Sequence, residues 1–442
     1  MAAAVVIGPQ LAAANDAVQE QLREMQARMG QLEDHLQAAQ DELTVAQGNV
    51  QDNQRVIERS GLDEERSGLS ALSSFLDDTE FGGVAAASYN INFRNPQQNV
   101  PPGPYGAPGR NTGTIGAMPF HPLSSNFQVD QLHFSMANAA TPDSRGGFGV
   151  DMIYGMTADP TGGSDTPAII QAYASYLAPF AGGIEVKGGR WNTVIGAEVI
   201  YVGQNYNITR GLVWGIQPVS HNGLMLSGGL GESLSWSASV ASSYSVNVGS
   251  TGNLDNNNAK NGIFALGWEG GTLGLNAAYM YATDCNNGGT GATVIVGGTC
   301  GDDTSHLVDV VATWNPSDDL GAWVNFDYLK RETAAGAEAT TKGLALASRL
   351  AVNDTTGVAI RFEVLMTEAM STVGATTSDT TNYALTWTVD HALTDHLTAR
   401  VELRWDKCSN DAPSNDNCFT DGDGSINEGS QLVGLGQLVY AF

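Results

Sequence analysis

The feature that most constrains the fold is a two-residue periodicity of apolar and polar side chains that runs through most of the chain. In HLTARVELRWD (396–406), Val401 and Leu403 alternate with Arg400 and Glu402. Successive side chains of a β-strand point to opposite faces, so this pattern predicts strands with one apolar and one polar face. Such strands fit a soluble β-sandwich, in which the polar face meets water, or a membrane barrel, in which the polar face lines the lumen.

The connections between the predicted strands distinguish these two architectures. The periodicity predicts strands near 82–94, 127–138, 147–157, 168–178, 183–193, 222–230, 233–246, 262–270, 272–283, 305–314, 320–330, 341–352, 357–369, 380–390, 396–406 and 430–442. Connections after even-numbered strands are short, whereas most of those after odd-numbered strands are long and polar. Short periplasmic turns alternating with long external loops are typical of outer-membrane barrels. We therefore predict an all-β fold, a transmembrane antiparallel β-barrel of about sixteen strands over 81–442.

The final strand, GQLVYAF, carries Leu438, Tyr440 and Phe442 on one face. In a closed barrel the last strand pairs with the first and its outer face meets lipid. We expect Leu438 and Tyr440 to face lipid and Phe442 to lie at the periplasmic interface.

The N-terminal part follows a different period. Residues 1–14 have the apolar stretch and the Ala-Ala-Ala site of a signal-peptide remnant, without a positively charged start. Residues 15–58 have apolar positions spaced by three and four, which predicts a periplasmic α-helical coiled coil. The alternative is a single amphipathic helix on the protein's own surface. Residues 59–80 are predicted to be a linker.

Composition excludes several classes of protein. The chain has 442 residues and a net charge of −27, from 47 acidic and 20 basic residues, which argues against nucleic acid as a partner. No run reaches the ~18–20 apolar residues of a membrane-spanning helix.

Four cysteines fall into two close pairs, Cys285 with Cys300 and Cys408 with Cys418, which makes them disulfide candidates in an oxidising compartment.

Residues 168–226 contain several short motifs on or beside predicted strands. These are a Q-A-Y strand, a G-x-x-V-K-x-G-R/K strand, I-G-x-E, an Asn, an S/T-R pair and a P-x-x-H-x-G exit. They are carried here by Gln171, Ala172, Tyr173, Val186, Lys187, Gly189, Arg190, Ile195, Gly196, Glu198, Asn205, Thr209, Arg210, Pro218, His221 and Gly223. The region resembles the OmpL-like family of outer-membrane beta-barrel porins, and 78–93 is similar to the family's first strand. The resemblance implies a channel for small solutes; the coiled coil is not part of the family's core pattern.

Between the fifth and sixth predicted strands, residues 194–221 carry the candidate residues of a pore constriction, Glu198, Asn205 and Arg210. A barrel of about sixteen strands is wide enough for an aqueous channel, which a loop folded inward would narrow. A carboxylate facing an arginine there would sort solutes by charge. The alternative is that Glu198 and Arg210 pair with each other and brace the loop.

The inner face of the predicted barrel also carries charge. The candidate lumen charges are Glu185, Lys187, Arg361, Glu363, Arg400, Glu402 and Arg404. Charges on a pore wall set ion selectivity. The alternative is a ladder of acids and bases that neutralise each other and produce little field.

The remaining candidate site is TDGDGSINE (420–428), where Asp421, Asp423, Ser425 and Asn427 supply alternating oxygen ligands. They resemble half of a calcium loop, so we consider Ca²⁺ in an external loop, against a solvated acidic loop. No other cofactor is expected. The seven histidines are scattered and no catalytic motif occurs, so we do not expect an enzyme.

Together these observations predict a porin in the outer membrane of a Gram-negative bacterium, with its coiled coil in the periplasm. It would let ions and small hydrophilic solutes diffuse passively, with 194–221 as the constriction. The alternative function is a structural anchor whose coiled coil tethers the barrel towards the cell wall. Expected partners are the lipid bilayer, lipopolysaccharide and further copies of the chain, with a homotrimer favoured.

Overall fold

The computed structural model describes most of the predicted barrel and little of the N-terminal part. The described residues are 78–96, 117–158, 167–180, 182–244, 259–283, 303–332, 337–368, 371–372, 375–376, 379–410, 418–421 and 426–442, with single residues at 23, 28, 30, 31, 37 and 40. Those six are helical. The rest of the predicted coiled coil at 15–58, the segment 1–14 and nearly all of the linker 59–80 lie outside the described residues. The chain divides into two units between Asp78 and Thr79.

The described part of the second unit has twenty strands, sixteen of which form a closed antiparallel barrel. In chain order the strands are β1 (Glu80–Asn92), β2 (Asn126–Asn138), β3 (Gly146–Tyr154), β4 (Ala168–Ala178), β5 (Ile184–Asn192), β6 (Ser220–Leu230), β7 (Leu234–Ala241), β8 (Asn261–Gly270), β9 (Leu273–Ala282), β10 (Thr304–Ser317), β11 (Leu320–Glu332), β12 (Glu338–Asn353), β13 (Thr356–Glu368), β14 (Ser371–Thr372), β15 (Ala375–Thr376), β16 (Thr380–Ala392), β17 (Leu397–Asn410), β18 (Phe419–Thr420), β19 (Ile426–Glu428) and β20 (Ser430–Ala441). A short 3₁₀ helix spans Val213–Ile216. Across the described ranges, no helix is long and apolar enough to cross a membrane.

The predicted sixteen-stranded antiparallel barrel is confirmed. Two small hairpins, β14–β15 and β18–β19, lie outside the barrel sheet and were not predicted. Strands of two or three residues are too short to establish a period, so alternation could not reveal them.

The barrel closes where β20 pairs with both β1 and β17. Gly83 and Phe442 exchange two backbone hydrogen bonds, each of 3.0 Å. A side chain at Gly83 would collide with the ring of Phe442, because the ring occupies the position that a Cβ atom would take. The absence of a side chain at this position therefore lets the terminal aromatic ring lie over β1.

The two faces of the barrel wall differ in polarity. On β17, Val401 and Leu403 point outward and are 64% and 38% exposed, whereas Glu402 and Arg404 point inward and are buried. A soluble protein would bury the apolar face and expose the charged one. The reverse arrangement is the one expected where the outer face meets lipid.

Candidate functional site

Residues 193–219 connect β5 to β6 and fold into the barrel; we call them the lumen segment. Its backbone N–H groups bond to side chains on three widely separated strands. Ala197 donates to Asn325 on β11 at 3.2 Å, Val202 to Gln131 on β2 at 2.9 Å, and Ile208 to Glu402 on β17 at 2.5 Å. Because these strands lie far apart around the barrel, the segment crosses the lumen rather than lining one side of it.

Glu402 accepts three hydrogen bonds from the lumen segment. Its carboxylate accepts the N–H of Ile208 at 2.5 Å, the N–H of Thr209 at 3.1 Å and the hydroxyl of Thr209 at 2.6 Å. A fourth donor, the hydroxyl of Thr388 on β16, lies at 2.7 Å. Hydrogen bonds to a charged group are about twice as strong as neutral ones, so this carboxylate fixes the turn at 208–209 firmly.

Arg361 on β13 joins the segment to the wall through an ion pair. Its guanidinium lies 2.6 Å from the Glu198 carboxylate and 3.0 Å from that of Glu363, and it donates to the Thr209 carbonyl at 2.6 Å. Glu363 in turn accepts the N–H of Val213 at 3.2 Å. The ion pair of Glu198 is thus with Arg361 on the wall, whereas the alternative considered from the sequence paired it with Arg210.

Arg400 and Arg404 on β17 bind backbone carbonyl groups of the same segment. Arg400 donates to the carbonyl oxygens of Asn205 at 2.9 Å and Tyr206 at 2.8 Å. Arg404 donates to the carbonyl of Arg210 at 2.6 Å, and its Nε bonds to Asp406 at 2.8 Å. Five of the seven predicted lumen charges therefore lie against the segment and are used in holding it.

The three predicted constriction residues lie in this segment and are buried. Arg210 donates to the carbonyl oxygens of Val199, Ile208 and Ile200 at 2.7–3.0 Å. The amide of Asn205 bonds to both the N–H and the carbonyl of Val199 at 2.8 Å. Both residues therefore brace the segment's own backbone.

Burial shifts the pKa values of the two charged residues of the segment in opposite directions. It raises the pKa of the Glu198 carboxyl, while Arg361 opposes the rise. It lowers the pKa of the Arg210 guanidinium to about 10, so the cation persists at neutral pH. The backbone N–H of Gly211, 2.7 Å from Glu198 Oε2, helps to hold the carboxylate in place.

Apolar side chains of the segment form a core with the inner wall. Ile195, Ile208, Leu212 and Ile216 belong to one buried cluster with residues of β7–β11, β13, β16, β17 and β20. A second cluster joins Ile200, Tyr201, Trp214 and Val219 to Phe120 and to residues of β3 and β4. Each such side chain contributes roughly 1.5–3 kcal/mol when fully buried, so apolar packing adds to the polar anchors.

The other two predicted lumen charges lie away from the segment's anchors. On β5, Lys187 Nζ is 3.9 Å from Glu185 Oε2 and 4.2 Å from the centre of the Tyr173 ring. Glu185 also lines a cavity of about 470 Å³ on the side of β4–β9, together with Ser227, Ser237 and Asn276. This part of the wall is where charged and hydroxyl groups remain accessible.

Sequence reasoning missed several buried polar clusters beneath the segment. Asp130 accepts from Ser88 at 2.7 Å and Gln437 at 2.7 Å and lies 3.3 Å from His121. Asp151 on β3 lies 3.1 Å from His133 and 2.8 Å from the Tyr201 hydroxyl. Asp309 and Asp327 face each other across β10 and β11. The alternation of each strand places these aspartates on its inward face, and that was the only signal in the sequence. Their hydrogen-bond partners could not be identified, because most of them are distant in sequence.

The loop candidates are only partly described. A disulfide joins Cys408 and Cys418, whereas Cys285 and Cys300 lie outside the described residues. Of the calcium candidates, Asp421 and Asn427 are described and Asp423 and Ser425 are not. No group of three acidic, histidine or cysteine side chains suited to a metal occurs among the residues whose positions are described.

Residues 78–442 match the family described as "Putative beta-barrel porin-2, OmpL-like". Similar solved structures include OprB of Pseudomonas putida at high pH, with a TM-score of 0.53 and 13% identity over 84% of this chain and 96% of that one. In-vitro folded OmpT of Vibrio cholerae in a trimer form has a TM-score of 0.51 and 13% identity, covering 82% and 99%. An anion-selective porin from Comamonas acidovorans has a TM-score of 0.50 and 11% identity, covering 82% and 99%. These likenesses show the fold. The comparison with curated proteins gave no match.

Proposed function

Because the chain belongs to the OmpL-like family of beta-barrel porins, we propose that it is a passive diffusion channel narrowed by the lumen segment. Its solutes would be ions and small hydrophilic molecules, and its location the outer membrane. The observation that carries the proposal is the way in which Glu402, Arg361 and Arg400 hold residues 205–209 across the barrel interior. A loop fixed in this way would narrow the barrel, and sixteen strands leave room for an aqueous channel beside it.

The open route runs along the wall opposite these anchors. The accessible polar groups there are Glu185, Lys187, Ser227 and Asn276, on β5, β6 and β9. The anchoring charges are paired with the segment or with each other, so they contribute little field to this route. Selectivity by charge would therefore depend mainly on Glu185 and Lys187.

The decisive experiment is single-channel conductance in a planar bilayer. The wild-type protein would be compared with a variant in which a short glycine–serine linker replaces residues 194–218. The variant should conduct more, because the constriction is gone while all sixteen strands remain. Shortening the β9–β10 connection by a similar number of residues provides the control and should leave the conductance unchanged. Equal conductance in wild type and linker variant would contradict the constriction.

A salt gradient across the same bilayer tests the route. Lys187→Gln should shift the reversal potential towards cation selectivity, because Glu185 then remains without its neighbouring cation. Lys342→Gln, on the outer face where Lys342 pairs with Glu368, should cause no shift. A shift of equal size in both variants would mean that the solutes do not pass Lys187.

A structural anchor is the second candidate function. It is favoured by the extent of packing in the lumen, where Arg361, Glu363, Glu402 and Arg404 are all buried. In that case the correctly folded wild-type barrel would give no current, and only the linker variant would conduct. The coiled coil at 15–58 would then supply the tether towards the cell wall.

Assembly into a homotrimer is part of the same proposal and is supported by the trimer form of the similar OmpT. Native mass spectrometry of the detergent-solubilised protein would count the chains. Deleting residues 15–58 should weaken the oligomer if the coiled coil helps to hold it together. An unchanged oligomer after that deletion would assign assembly to the barrel alone.

A further inference from the structure

Two aspartates face each other on the inner wall beneath the lumen segment. Asp309 on β10 and Asp327 on β11 are directly opposite in the strand register, and both are fully buried. Like charges at opposed positions of two antiparallel strands repel each other. A further interaction must therefore offset this repulsion for the two aspartates to be buried side by side.

Amide groups surround the pair. Asn325 Nδ2 donates to Asp309 Oδ2 at 2.6 Å and to Asp327 Oδ1 at 3.1 Å. Gln217 Nε2 donates to Asp327 Oδ2 and to Asn325 Oδ1, both at 2.8 Å. We call Asp309, Asp327, Asn325 and Gln217 the carboxyl clamp.

The clamp holds both ends of the lumen segment. Gln217 is near the segment's end, and Ala197, near its beginning, donates its N–H to Asn325 Oδ1 at 3.2 Å. The N–H of the neighbouring Gly196 faces the Asp309 carboxyl. Two turns of chain that are twenty residues apart are thus fastened at one point on β10 and β11.

No cation balances the two carboxyl groups within the part of the chain that the structure describes. The groups that act on them most strongly are each other, Asn325, Gln217 and the N–H of Gly196. Tyr244 also acts on Asp327, but its hydroxyl donates to the Ile216 carbonyl at 2.7 Å, and Arg331 lies beside Tyr244.

The flanking strands supply no counter-charge either. The inward residues beside the pair are Ala278 on β9 and Gly343 and Ala345 on β12, which do not ionise. On the segment itself, the Glu198 carboxylate is already held by Arg361 and Gly211. The negative charge of the two carboxyl groups can therefore be offset only by a proton on the pair and by the amide groups of the clamp.

Two adjacent buried carboxylates cannot both keep a full charge when only neutral amides surround them. Asp309 Oδ1 also has no hydrogen-bond donor among the described residues, while the Asp327 carboxyl faces it. A single proton between the two groups removes one charge and turns the repulsion into a hydrogen bond.

We propose that the carboxyl clamp holds one shared proton and that losing this proton at alkaline pH releases both ends of the lumen segment. Below the transition the pair carries one negative charge and the clamp stays closed. Above it the pair carries two, and the repulsion between the carboxyl groups of Asp309 and Asp327 breaks the contacts of the clamp with Gly196, Ala197 and Gln217. The effect on solute flow rests on the proposed function; the release of the segment does not.

Hydrogen–deuterium exchange of the full-length protein in detergent micelles tests the release directly. Wild type would be compared with Asp327→Asn at about pH 5 and about pH 9, because an amide has the shape of a protonated carboxyl group and does not lose its proton. Comparing two proteins at one pH removes the intrinsic pH dependence of exchange. Asp318→Asn, in the exposed turn between β10 and β11, removes the same charge nearby and serves as the control.

At the lower pH the three proteins should exchange alike over peptides that cover 193–219. At the higher pH these peptides should exchange roughly tenfold faster in wild type and Asp318→Asn than in Asp327→Asn. Equal exchange in wild type and Asp327→Asn at the higher pH would overturn the proposal. Should Asp327→Asn fail to fold, Asp309→Asn replaces the other half of the pair and carries the same expectation.

Conductance separates this inference from the proposed function. A barrel that shows the pH-dependent exchange but passes no current supports the clamp and contradicts the diffusion channel. A barrel that conducts but shows no such exchange supports the channel and contradicts the clamp. Where both hold, the conductance of wild type should rise at alkaline pH and that of Asp327→Asn should not.

Discussion

At the scale of single residues, the charges inside this barrel act mainly on backbone groups. Glu402 accepts two N–H groups of the lumen segment, and Arg400 binds two of its carbonyl groups. A loop without regular structure has backbone donors and acceptors that must be satisfied when it is buried. The wall charges supply those partners, which is why a segment with only one short 3₁₀ turn can fold inside the lumen.

Glu402→Gln tests this role. The substitution keeps the shape of the side chain and removes its charge, so the bonds to Ile208 and Thr209 weaken. We expect the free energy of unfolding to fall by about 1–3 kcal/mol, the range for hydrogen bonds to charged groups. Urea titration of the barrel in lipid vesicles measures it. Glu368→Gln, on the outer face, is the control and should lower the free energy of unfolding by much less, because its ion pair with Lys342 is exposed. An equal loss of stability in both variants would refute the anchoring role of Glu402.

At the scale of the element, the lumen segment depends on a few backbone positions. Gly196 has φ of +93°, a region that residues with a side chain rarely adopt. A Cβ atom there would also collide with the Gln217 amide, which belongs to the carboxyl clamp. Gly196 is part of the I-G-x-E motif through which this region resembles its family. The motif therefore includes a residue that shapes the backbone of the loop and Glu198, which anchors it.

Gly196→Ala should therefore loosen the segment. We expect a loss of about 1–3 kcal/mol in the free energy of unfolding, from backbone strain and from displacement of Gln217. Gly215→Ala is the matched control in the same segment, because a Cβ atom there has no neighbour within 4 Å. Thermal unfolding in detergent would compare the two variants. Equal stability of Gly196→Ala and wild type would show that the positive φ is not required.

At the scale of the whole molecule, the barrel has the opposite distribution of polarity from a soluble protein, with apolar side chains on its outer face and charged ones inside. Leu438 and Tyr440 of the closing strand are 52% and 45% exposed, as expected for residues that face lipid. The interior is both charged and apolar, because the lumen segment brings its own apolar side chains. Stability thus has two sources, the paired strands with their lipid-facing surface and the packed segment within.

Leu403→Lys tests the membrane-facing surface. Leu403 lies in the middle of β17 and points outward, so a lysine there would meet the hydrocarbon region. We expect the free energy of unfolding in lipid vesicles to fall by about 2–4 kcal/mol. Leu393→Lys, in the exposed turn after β16, should change little. A Leu403→Lys protein as stable as wild type in vesicles would mean that this face does not meet lipid.

The sequence by itself determined the strands and their order. A period of two is a local property, so Val401 and Glu402 alone assign the two faces of β17, and the lengths of the connections indicate a closed barrel. The same local information placed Arg361, Glu363, Arg400, Glu402 and Arg404 on the inner face and singled out 194–221. It could not resolve β14–β15 or β18–β19, because such short strands establish no period.

Only the tertiary structure decided what the inner charges contact. Glu198 meets Arg361 across 163 residues of sequence, and Ile208 meets Glu402 across 194. Alternation assigns a side chain to a face but does not identify the group on the far side of the lumen that it will meet. Asp309 and Asp327 were visible as inward residues of neighbouring strands, yet their role depends on Gln217, which the folded segment brings to them. The physical reason is that strand patterns are local, whereas hydrogen bonds and ion pairs in the lumen form only once the barrel has closed around the segment.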